Sequence, residues 1–137
     1  MKWEFENGRP IYLQMITMLK ESIANGTYPP GSRMPSVRDF AIEAGVNPNT
    51  VQKAFAELER DGLLHTERTN GRNVTEDQAV LHRLRSSLAE ESIDEMLRRL
   101  KKLGMNTKEI EELVADRADK NDALEGRPAE GTGEESK

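Results

Sequence analysis

Apolar residues along the 137-residue chain recur mainly at helical spacing, with one strand-like interruption near the middle. From Pro10 to about Asn25, Tyr12, Ile16, Leu19 and Ile23 share one helix face, and Gly26 marks its stop. Met15 and Met18 widen that face, and methionine at such spacing reads as core before it reads as a ligand site. The run Tyr28-Pro29-Pro30-Gly31 is a rigid turn that sets the angle into the next helix. That helix opens at Ser36, with Asp39 three residues on where a capping box usually carries Glu, and Val37, Phe40 and Ala41 form its stripe. Gly45 falls where the chain must turn sharply. Asn47 is a preferred N-cap and Pro48 a preferred first helical residue, and Val51, Ala54, Phe55 and Leu58 then recur at i, i+3, i+4 and i+7.

The period changes after Gly62. Leu63 to Arg68 carries β-tolerant residues, Thr69-Asn70-Gly71-Arg72 reads as a turn, and Asn73-Val74-Thr75 as a return strand. At the N-terminus Trp3 and Phe5 alternate with charges, the pattern of a short strand that pairs either within or between chains. Beyond Thr75, Leu81, Leu84 and Leu88 form one helical stripe. Ser92 with Glu95 resembles another capping box, followed by Ile93, Met96, Leu97, Leu100 and Leu103 before a stop at Gly104. Residues 76–103 fit one long helix or two. A further short helix is expected from about Thr107, with Ile110, Leu113 and Val114.

Alone, residues 36–60 describe a helical hairpin whose polar side could simply be solvated. The hairpin that follows changes that: helix, tight turn, helix and hairpin is the order of a winged helix-turn-helix. Asn49, Thr50, Gln52 and Lys53 then occupy the side of the second helix opposite its apolar stripe, near its start, where a major-groove helix reaches base edges. Asn47, Asn49 and Gln52 carry amides that pair with adenine, and Lys53 suits guanine or phosphate. Arg33, Arg38, Lys53, Arg68 and Arg72 come from the loop, two helices and wing that would face DNA together. The wing tip, with Arg68 and Arg72 around Asn70 and Gly71, suits a groove and its phosphates.

Several separated motifs, in order, carry a family resemblance. They are Gly26-x-Tyr28-Pro29-Pro30-Gly31-x-Arg33-Met34-Pro35-Ser36-Val37-Arg38-Asp39-Phe40-Ala41, then Gly45-Val46-Asn47-Pro48-Asn49-Thr50-Val51-Gln52-Lys53-Ala54-Phe55, then Leu58-Glu59-x-x-Gly62-Leu63. Together they resemble the winged-helix domain of GntR-type bacterial transcription regulators, and the Asn47–Gln52 run with the short C-terminal part resembles the YtrA-type subgroup. The resemblance is strong over about residues 9–75. It implies DNA contacts from Arg38, Asn47, Asn49, Thr50, Gln52 and the wing residues Arg68 to Gly71. It also implies autoregulation and control of a neighbouring transporter operon. Many members carry Arg at the positions of Pro48 and Gln52, so a different base preference is expected, and Thr69 replaces the first glycine of the usual wing.

Charge sets the main constraint on that reading. The chain is net −5. Residues 1–75 hold nine Lys/Arg against nine Asp/Glu, and residues 76–137 hold eleven against sixteen, so all of the excess lies in the second part. The local field at the interface matters more than the total, and weak overall charge makes dimerisation important for useful affinity. There are no cysteines, so thiol chemistry and cysteine zinc sites are excluded, and a cytoplasmic location is the simplest. His65 and His82 are isolated, and no phosphate loop or nucleophile elbow is present, so no enzyme activity, metal or cofactor is expected. No apolar run reaches the ~20 residues of a membrane span, and the N-terminus lacks a signal-peptide core.

The expected architecture is mainly α with a small β-hairpin wing: a winged helix-turn-helix at 1–75, a helical dimerisation region at 76–115 and a disordered acidic tail at 116–137. The helical region is too small to bury a substantial core alone, and either a second copy or its own winged domain completes it. The expected function is a homodimeric repressor that binds an inverted-repeat operator in double-stranded DNA. The alternatives are a protein-binding winged helix, or a sensor that takes an unidentified small-molecule effector at the helical dimer seam.

Overall fold

Capping chemistry sets most of the helix boundaries. The computed structural model describes residues 3–69 and 71–125. Within them run α1 (Ile11–Ala24), α2 (Val37–Ala44), α3 (Pro48–Arg60), β1 (Leu64–Glu67), β2 (Gly71–Val74), α4 (Gln78–Lys102) and α5 (Thr107–Leu124). Ser36 Oγ accepts from the Asp39 amide at 3.0 Å to start α2. Gly45 ends it in the left-handed region at φ 70°, a conformation a side chain there would strain. Asn47 Oδ1 accepts from the Asn49 amide at 2.8 Å, and Pro48 opens α3. Val51, Ala54, Phe55 and Leu58 are all fully buried, so the stripe expected from spacing is the buried one.

The N-terminal residues do not form the expected strand. Residues 3–6 have no regular structure, yet Trp3 and Phe5 still pack against the core. The reason is Gln14, which is buried on α1. Its Oε1 accepts from the Glu6 amide at 2.7 Å, while its Nε2 donates to the Glu6 and Arg9 carbonyls, each at 3.0 Å. These side-chain bonds satisfy backbone groups that a partner strand would otherwise engage.

β1 and β2 pair antiparallel, with Leu64 opposite Val74, His65 opposite Asn73, Thr66 opposite Arg72 and Glu67 opposite Gly71. The loop before α2 does more than set a helix angle. Gly31 N donates to Val74 O (2.9 Å), Met34 N to Arg72 O (2.8 Å) and Val74 N to Ser32 O (2.8 Å), so the loop lies along the outer side of β2. Gly31 has φ 81° and faces the Glu76 side chain closely, which leaves no room for a Cβ without a shift.

The chain divides into two compact units between Ala89 and Glu90. The winged unit therefore extends past the boundary at residue 75 that the sequence suggested. Leu81 and Leu84 of α4 belong to the same core as Phe40, Phe55 and Leu64, and Val80 and Leu88 pack against it. The buried Thr75 accepts from Asp77 N at 3.1 Å, and Asp77 Oδ1 accepts from Ala79 N at 2.9 Å, which turns the chain from β2 into α4. Arg85 Nε donates to the Ala24 carbonyl at 3.3 Å, tying α4 to the end of α1.

Residues 78–102 form one helix, and Ser92 is not a cap. Ala89, Glu90 and Glu91 are good helix formers with no Gly or Pro to break them, so nothing frees Ser92 from the helix. In the second unit Asn106 and Glu109 form a reciprocal capping box at the start of α5. α5 continues to Leu124, so residues 116–124 of the expected tail are helical, with Lys120 pairing with Asp116 one turn away at 3.2 Å. Residues 126–137 lie outside the described residues. Ile110 is buried, whereas Ile93, Leu103, Leu113, Val114 and Leu124 are exposed. Among the described residues no helix is long and apolar enough to cross a membrane.

Leu81→Ala should lower the stability of the full chain by about 2–5 kcal/mol, because it opens a cavity in the winged core. Ile42→Ala, at a position 73% exposed, should change it by less than about 0.5 kcal/mol. Urea unfolding followed by the fluorescence of Trp3, the only tryptophan, reads both.

Candidate nucleic-acid interface

The face of α3 opposite its buried stripe presents Asn49, Gln52 and Lys53 to solvent, with Thr50 half-buried beside them. Asn47 is exposed at the N-cap, where its Oδ1 accepts from the Asn49 amide and its side-chain nitrogen carries two donor hydrogens. Asn49 and Gln52 lie three residues apart and thus on one side of the helix. The Lys53 ammonium stands 5.6 Å from the centre of the Tyr12 ring on α1. That cation–π contact ties the lysine to the side of α3 that faces α1.

Arg38 is exposed in the first turn of α2. Arg33 is exposed in the loop that runs beside β2, and a Cβ at Gly71 would lie 3.7 Å from its Nε. Arg33, Ser36, Gly71 and Arg72 line a cleft of about 240 Å³ between the start of α2 and the wing. The structure thus brings the loop arginine to the turn end of the wing, beside Gly71 and Arg72. Arg68 is exposed just past β1, Gly71 adopts φ 73°, and Asn70 lies outside the described residues.

Arg72 is not at the tip. It is the second residue of β2, on the same side as the buried Val74, and its guanidinium turns inward. Its Nε donates to Glu59 Oε1 at 3.0 Å, and its guanidinium carbon lies 5.4 Å from the centre of the Phe55 ring. The Thr66 hydroxyl bonds the other Glu59 oxygen. Burial alone would raise the Glu59 pKa, but the hydrogen bonds from Thr66 and Arg72, with the arginine charge, hold its carboxyl below the usual range.

Glu59 is absent from the contacts expected from the sequence, where it enters only as part of the Leu58-Glu59 motif. The alternation of a strand offered a signal: Val74 faces the core, so Arg72 two residues earlier shares that side. Four of the expected cations, Arg33, Arg38, Lys53 and Arg68, remain exposed, and the fifth is neutralised by its partner.

Comparison with known proteins agrees with this architecture. The family described as "Bacterial regulatory proteins, gntR family" matches residues 11–74. The HTH-type transcriptional regulator YhcF of Bacillus subtilis (strain 168) is 33% identical over 78% of this chain and 88% of its own length. The HTH-type transcriptional repressor YtrA of the same organism is 46% identical over 50% of this chain and 52% of its own. A solved GntR family transcriptional regulator from Listeria monocytogenes superposes with a TM-score of 0.75 at 34% identity, covering 82% of this chain and 98% of that one. These relatives are transcription regulators and not enzymes. A winged helix-turn-helix with these matches, extending through the C-terminal helices, identifies the chain as a member of the GntR family of bacterial transcription regulators, similar to its YtrA-type members.

Proposed function

We propose that the chain is a homodimeric repressor whose two winged units read the half-sites of an inverted-repeat operator. The observation that carries this reading is the start of α3: a capped helix end, held by a fully buried stripe, with Asn49, Gln52 and Lys53 exposed on its outer side. Gln52 and Asn49 read base edges, the donor group of Asn47 joins them, and Thr50 meets a phosphate or a thymine methyl. Arg33, Arg38, Lys53 and Arg68 hold the backbone, and Asn70 and Gly71 follow the groove at the tip. Arg72 serves the wing from within.

The sign of regulation follows YtrA, whose name is that of a repressor. Control of a neighbouring transporter operon is carried over from the subgroup that the sequence resembles. Residues 3–89 form the DNA-reading part and the helices beyond it the dimerisation part, consistent with the apolar residues Ile93, Leu103, Leu113 and Val114 that the second unit leaves exposed. A symmetric pair would set the two α3 helices one duplex turn apart or a multiple of it. Such a regulator works in the cytoplasm, where its DNA is.

Gln52→Ala should relax preference at one operator position by about 1–3 kcal/mol, whereas Lys53→Ala should weaken all sequences alike and reduce the salt slope by about one. Gel-shift titrations on the chain's own upstream DNA and on random duplex, at two salt concentrations, read both; equal losses everywhere for Gln52→Ala would remove it from base reading. Leu113→Glu with Val114→Glu should shift the protein to monomer in sedimentation equilibrium and weaken operator binding with it. A variant that stays dimeric would place the subunit contact elsewhere.

A further inference from the structure

We infer that Glu59 is a positioning residue for DNA reading, which holds Arg72 over Phe55 and so fixes the wing at one angle to α3. The inference rests on the DNA-reading function proposed above. Phe55 and Glu59 are one helical turn apart on α3, so the ring and the carboxylate form a single cradle. Arg72 enters it from β2 with a 3.0 Å hydrogen bond to Oε1 and its planar group 5.4 Å from the ring centre. Thr66, directly opposite Arg72 in the hairpin, takes Oε2. One carboxylate on the recognition helix therefore ties down both strands of the wing.

The physical need for such a tie is clear from the size of the wing. Each strand has four residues, and a hairpin of that length has little stability of its own. The backbone bonds from Ser32 and Met34 fix where β2 lies, but they lie along its outer side and do not link it to α3. The side chains of Arg72 and Glu59 are only 20% and 27% exposed, so their pairing is less screened than that of an ordinary surface pair. A carboxylate on a helix that meets phosphates would otherwise oppose binding. Committed to Arg72, its charge is cancelled locally, and Arg68 of the wing and Arg33 of the loop beside it stay exposed.

The test compares two duplexes carrying the same selected core site, one with the flanking base pairs the wing would cover and one trimmed of them. The full-length protein should bind the longer duplex roughly tenfold more tightly, the worth of about one charge-assisted contact. Glu59→Ala and Arg72→Ala should each bring that ratio close to one while leaving the base preference at the core site, and the double variant should go no further. Glu59→Gln keeps the acceptor and the packing without the charge, so it stays informative if the alanine variant fails to fold, and its ratio should fall between. A ratio unchanged in either Glu59 variant, or strictly multiplicative losses in the double, overturns the inference while leaving DNA reading intact. An unaltered protein with core preference but no flank dependence overturns it too. No specific binding by the unaltered protein overturns the DNA-reading function, and this inference with it.

Discussion

Phe55 is the contact on which the arrangement turns. Its ring meets Phe40 of α2 edge-on at 5.4 Å, and Phe40 in turn meets Trp3 at 4.7 Å, so a chain of aromatic contacts runs from the N-terminal segment to the recognition helix. Arg72 of the wing lies over the same ring. Such edge contacts add roughly 0.5–1.5 kcal/mol each beyond the area they bury. Their larger effect is directional, since they fix α3 rotationally and therefore decide which of its residues look outward. Asn49, Gln52 and Lys53 are presented because Val51, Ala54, Phe55 and Leu58 cannot turn away.

The electrostatic puzzle of an acidic DNA reader becomes simpler in this light. The winged part as far as residue 75 is neutral in sum, yet its acids are not spread evenly against its bases. Glu59 is committed to Arg72, Asp61 sits 3.6 Å from Lys20, and Glu57 pairs with Arg60, all toward the end of α3 remote from Asn47. Acids at that end are occupied within the fold, while Arg33, Arg38, Lys53 and Arg68 stay exposed. Under the proposed function, a phosphate backbone would meet the local field of those four, with Asp39 and Glu67 exposed beside Arg38 and Arg68, and the total charge says little about it.

Much of the fold was legible because local rules and packing agree in it. The Ser36, Gly45, Asn47 and Pro48 signals each mark a real boundary, and the stripe on α3 is the buried stripe. Readings failed where a partner outside the motif, or the run leading into it, decided the outcome. The alternation of Trp3 and Phe5 is genuine, but Gln14, eight residues beyond Glu6, takes the backbone groups a strand would have paired. Ser92 and Glu95 have capping-box spacing, but a cap needs a chain break before it, and Ala89 to Glu91 supply none. The winged unit was cut too short because Leu81 and Leu84 look the same whether they pack on their own unit or on another copy. Of the site residues, those on α3 could be placed from period alone. For Arg72, alternation with Val74 gives the side it takes, but its partner Glu59 depends on how the hairpin packs against α3, which no local pattern states.

The loop from Gly31 to Met34 has a further consequence for a sheet so small. By bonding to the outer side of β2 it occupies that edge of the two-stranded sheet, and β1, on the other edge, carries His65 and Glu67 on exposed positions. An unprotected ribbon invites edge-to-edge growth into aggregates. Here a proline-flanked stretch of backbone seals one margin and ionisable side chains line the strand at the other, two of the devices that keep a small sheet from growing edge to edge.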